Sequence, residues 1–105
     1  MTSNVKQQPS YVSGTSEDPL LFQTIGSLLD EAATNWGTKE ALVMRHQNIR
    51  MTYSQLNDAV NDFALGLHSL NLRKGDRIGI WSPNRVEWVI TQFATAKLGL
   101  ILVNI

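Results

Sequence analysis

The sequence contains no cysteine, which removes a disulfide framework and every cysteine-ligated zinc or iron–sulfur site from consideration. It also lacks an excess of either charge: nine Lys and Arg balance nine Asp and Glu, for a formal net charge of +0. A balanced chain has no basic footprint for nucleic acid and no polybasic anchor for anionic lipid. Long hydrophobic runs are missing as well. The greasiest stretch, residues 98–103, falls far short of the ~20 residues that span a bilayer, so no transmembrane segment is expected. The first twenty residues hold one Lys, no Arg, and both Glu17 and Asp18, without a continuous apolar core. Neither a secretory signal nor an organellar transit peptide is expected from them, and the cytoplasm is the expected location.

What is present is a globular composition. Of 105 residues, 43% are hydrophobic and 17% charged, which suits one small domain. Residues 1–21 are rich in Ser, Thr, Gln, Asn, Pro and Gly. Such a segment cannot offset its ordering entropy and is expected to be a flexible N-terminal arm. Residues 22–105 then form the expected folded portion.

Ile25, Leu28, Leu29, Ala32, Ala33 and Trp36 recur at helical spacing. A helix over 25–36 follows, with Thr24 as its N-cap and Gly37 as a left-handed exit. Residues 41–44 and 49–51 read as two short strands around a polar turn at His46, Gln47 and Asn48, where Asn48 tolerates positive φ. Thr52 and Gln55 have capping-box spacing. The apolar stripe Leu56, Val60, Phe63, Leu67 and Leu70 extends the helix they start. Residues 78–81 are too short an apolar run for a helix and read as a buried strand. Asn84 and Glu87 suggest a second capping box for a helix over 85–98, carried by Trp88, Val89, Phe93, Ala96 and Lys97 and stopped by Gly99. Residues 100–105 are a second buried strand.

Strand, helix and strand make a βαβ unit, expected to be right-handed with parallel strands. Parallel strands are normally covered on both faces by helices, and two strands with their helices cannot complete that arrangement. The last residues are also the most apolar, without a closing cap, so the sequence reads as truncated. The fold class is α/β: an incomplete N-terminal part of a mixed α/β subdomain.

Chemistry-bearing patterns are sparse. Ser82-Pro83-Asn84-Arg85 follows a parallel strand and precedes a helix, where open α/β folds bind ligands, but Pro and Asn also serve as turn and cap there. Val12-Ser13-Gly14-Thr15-Ser16 resembles a phosphate loop only superficially, since no strand, second Gly or Lys accompanies it. His46 and His68 lack a second ligand at metal spacing. Asp30-Glu31 and the Asp58/Asp62 pair read as solvated helix faces. Trp36, Trp81 and Trp88 read as core or staple residues, because no basic patch accompanies them. Lys97 lies where a cation complements the helix dipole. No residue is assigned a catalytic, cofactor-binding or metal-ligating role.

The order of the segments carries more than any one of them. Residues 24–33 (TIGSLLDEAA), 40–43 (EALV), 51–56 (MTYSQL), 74–84 (KGDRIGIWSPN), 87–88 (EW) and 94–104 (ATAKLGLILVN) together resemble the start of the adenylate-forming superfamily, in particular its fatty-acid and medium-chain acyl-CoA synthetases. Residues 10–12 (SYV) look like the opening of one acyl-CoA synthetase subgroup. The resemblance implies a longer parent chain that converts a fatty acid, Mg-ATP and coenzyme A into acyl-CoA, AMP and pyrophosphate. It implies ATP, magnesium and coenzyme A as the parent's cofactors, with none held by this segment. The family's phosphate loop, magnesium-binding Glu, ribose-binding Asp and catalytic Lys all fall downstream of what matches here. The expected partners are the remainder of the parent chain and a fatty acid. An aryl-CoA ligase, a peptide-synthetase adenylation domain or a non-catalytic interaction module are the alternatives.

Overall fold

The computed structural model describes residues 10–12, 14 and 17–105. The proposed phosphate-loop look-alike falls partly outside them, at Ser13, Thr15 and Ser16, as does most of the expected arm. Described residues ahead of Ile25 form no helix or strand.

The first helix, α1 (Ile25–Trp36), starts at Thr24, whose hydroxyl accepts from the Ser27 amide at 3.1 Å. Its end differs from the expectation. Gly37 keeps a right-handed conformation at φ −52°. A side chain there would collide with the Ser54 hydroxyl and the Ala33 carbonyl, so glycine serves a close approach and not a left-handed turn. The Ser54 amide donates to the Gly37 carbonyl at 3.1 Å, which joins the end of α1 to the start of the next helix.

Between these helices lies an antiparallel hairpin of β1 (Glu40–Met44) and β2 (Ile49–Thr52). A 3-10 turn over Arg45–Gln47 connects them, and Asn48 closes it in the left-handed region at φ 53°. Thr52 then caps α2 (Tyr53–Ser69) with both halves of the capping box made: the Gln55 amide donates to the Thr52 hydroxyl at 3.2 Å, and the Thr52 amide donates to the Gln55 side chain at 2.9 Å. Strand β3 (Arg77–Ile80), helix α3 (Val86–Leu98) and strand β4 (Ile101–Asn104) follow. The strands pair in parallel from Arg77↔Ile101 to Ile80↔Asn104. Gly99, at φ 71°, gives α3 the left-handed exit expected of it.

The core is where the three helices meet. Leu29 of α1, Leu56, Val60, Ala64 and Leu67 of α2, Ala94 of α3 and Leu100 form its buried cluster. The buried stripe of α2 therefore runs through Ala64 and not through the expected Phe63 and Leu70. Phe63 is 40% exposed, and Leu70 lies past the last helical residue in solvent. The small side chain at 64 takes a core position beside Val60, which is wholly buried. On α3 the fully buried residues are Val86, Ala94 and Thr95, while the expected Val89 and Phe93 are only partly buried. Thr95 enters the core because its hydroxyl donates back to the Thr91 carbonyl at 2.8 Å and leaves no polar atom unsatisfied. Trp81 is the sharpest correction: it lies beyond β3, 88% exposed, and is no core residue. Trp36 is half-exposed, with its ring centroid 6.5 Å from that of Tyr53.

These burials rank the consequences of truncation. Leu56→Ala should cost about 2–5 kcal/mol, the range for a buried leucine, whereas the half-exposed Phe63 should cost distinctly less when truncated. Denaturant unfolding of both variants checks the order, and an equal or larger loss for Phe63→Ala would contradict this core.

Candidate functional site

Two polar arrangements stand out. The first is at the start of α3. The expected Asn84/Glu87 capping box does not form: Arg85 is the N-cap residue and contributes no side-chain cap bond. The cap comes from the hairpin. Gln47 Oε1 accepts from the Val86 amide at 2.8 Å, and Gln47 Nε2 donates to the Glu87 carboxylate at 3.0 Å. Residues 39 positions apart thus do what a local box was expected to do. The Gln47 amide, followed by a backbone N–H, holds the Glu87 carboxyl below its ordinary value.

The loop before that cap, Ser82-Pro83-Asn84-Arg85, lies after the carboxyl end of β3, as expected. It is mostly exposed, its Ser82 hydroxyl donates to the Pro83 carbonyl at 2.9 Å, and Arg85 pairs with Glu87 at 3.3 Å across the surface. These are turn contacts.

The second arrangement joins all three helices. Lys97 Nζ donates to Asp30 Oδ1 of α1 at 2.7 Å, and to Asn57 Oδ1 and Asn61 Oδ1 of α2 at 2.6 and 2.7 Å. Asn57 Nδ2 closes the ring by donating to Asp30 Oδ1 at 3.2 Å. The Lys97 side chain is only 13% exposed, and three acceptors match its three N–H donors. Lys97 keeps its expected place in the last turn of α3 and gains these partners, and Asp30, exposed as expected, is paired as well. The hydrogen bond from Lys97, then that from Asn57, lowers the Asp30 pKa from its ordinary value. Periodicity carries a trace of this cluster, because Asn57 and Asn61 are four apart on one helix face. Nothing local pairs them with residue 97.

Beside the clasp is an open groove of about 650 Å³, lined by Thr24, Ser27, Asp30, Asn61, Lys74 and Lys97 among others. Its less exposed cation is already saturated and its carboxylate already paired. Elsewhere His46 sits in the hairpin turn and His68 in the last turn of α2, both exposed. Asp58 and Asp62 are also exposed. Among the described residues no three His, Asp or Glu side chains converge on a common point. No described helix is long and apolar enough to cross a membrane.

A three-helix core with an antiparallel hairpin and a parallel βαβ unit defines a mixed α/β fold. Residues 29–105 match the family described as AMP-binding enzyme, and the chain belongs to that family. It is 46% identical over 96 residues to the mitochondrial medium-chain acyl-CoA ligase ACSF2 of Rattus norvegicus, covering 91% of this chain and 16% of that protein. A putative acyl-CoA synthetase of Bacillus subtilis, YngI, is 41% identical over 86 residues, covering 82% of this chain and 16% of its own length. Among solved structures, a Mycobacterium tuberculosis fatty acyl CoA synthetase superposes with a TM-score of 0.75 at 38% identity, over 78% of this chain and 16% of that one. The chain thus spans about a sixth of the length of these relatives.

The clasp gives a prediction with a sign. Lys97→Met should cost about 1–3 kcal/mol, because the part-buried Asn57 amide oxygen loses its donor and the ion pair with Asp30 is lost. Because the native Asp30 pKa is lowered, its contribution is fully present above the ordinary carboxylate value of 3.8 and is lost as pH falls below that through the native value. Asp30→Asn should flatten the fall of stability below about pH 4. Urea titrations at a series of pH values check both, and an unchanged acid limb in Asp30→Asn would contradict the clasp.

Proposed function

We propose that these residues are the scaffold-forming N-terminal portion of an enzyme that joins a medium- or long-chain fatty acid to coenzyme A. ATP would be split to AMP and pyrophosphate. The observation that carries this reading is the 46% identity to a medium-chain acyl-CoA ligase across 91% of the chain. Fold alone does not specify a substrate, so the acid is inferred from that similarity and not from a pocket.

In this reading ATP, magnesium and coenzyme A are held by other parts of the parent. Among the described residues Lys97 spends its donors on Asp30, Asn57 and Asn61, and no group of carboxylates converges on one point. The role of this segment is accordingly to position other parts of the parent. Its three-helix core and capped α3 fix the direction in which β3 and β4 enter a larger sheet.

Two experiments test this. The parent protein, given fatty acids of graded length beside benzoate, coumarate and amino acids, should release AMP in step with an acyl thioester, with a fatty acid preferred. Preference for an aryl or amino acid would move it to an aryl-CoA ligase or a peptide-synthetase adenylation domain, and ADP as product would overturn the reading. The 105-residue chain by itself should not catalyse carboxylate-dependent ATP–pyrophosphate exchange, because the resemblance puts the phosphate loop, magnesium-binding Glu and catalytic Lys that position and stabilise adenylyl transfer downstream of it. Exchange above that of a boiled control would contradict the scaffold role.

A further inference from the structure

We draw no further inference here: the strongest candidate, the exposed apolar patch where Leu20, Leu21 and Phe22 lead into Ile25 and Leu28 on the outer side of α1, carries none, because nothing in the structure shows what covers it.

Discussion

A single ammonium group sets the mutual placement of the three helices. Lys97 arrives on α3 and meets a carboxylate from α1 and two carboxamides from α2, all within 2.7 Å. An amine has three donors, and here each has one acceptor, so the group is satisfied without water. Hydrophobic contacts among Leu29, Leu56, Val60 and Ala94 are non-directional and would tolerate some sliding of helix on helix. The clasp is directional, because the ammonium of α3 must meet one residue of α1 and two of α2 at hydrogen-bond distance. Next to it, Gly26 allows the same Lys97 to pass close: a side chain at that position would press against the lysine stem and backbone. Small residues and one long charged one are therefore two halves of the same device.

Most of the elements were legible in the sequence because they are encoded locally. Thr24 as a cap, the Thr52/Gln55 box, Asn48 in its left-handed turn and Gly99 at the end of α3 each depend on residues within one turn, and each occurs as the pattern implies. What was not legible is encoded at a distance. Gln47 displaces the Asn84/Glu87 box because its amide reaches across from the hairpin. Ala64 takes the core position expected of Phe63 because α3 comes close to α2 through small residues, and a phenyl ring is more easily left at the rim. Gly37 is needed for the approach of Ser54, a neighbour that no local rule supplies. Trp81 looked like core only because the strand pattern was extended one residue too far.

The functional conclusion depends on order more than on chemistry. No nucleophile, base or metal cluster was expected; of the side chains singled out, Lys97 and Asp30 are held in bonds between helices, while His46, His68, Asp58 and Asp62 are exposed. Family membership rests on the match over residues 29–105. Under the proposed function the labour is divided: these residues support, and other residues of the parent react.

The Gln47 cap has a further consequence, for the order of events during synthesis. Every group that completes α3 from outside precedes it in the chain: Asp30, Gln47, Asn57 and Asn61 are all synthesised before Val86 to Leu98. The hairpin and the first two helices can assemble from local contacts, with short loops to close. Helix α3 then meets a waiting acceptor for its first free amide and three for its last lysine. The third helix therefore closes on partners that all lie N-terminal to it, and the strand that follows it, β4, pairs with β3 at the far end of the same unit.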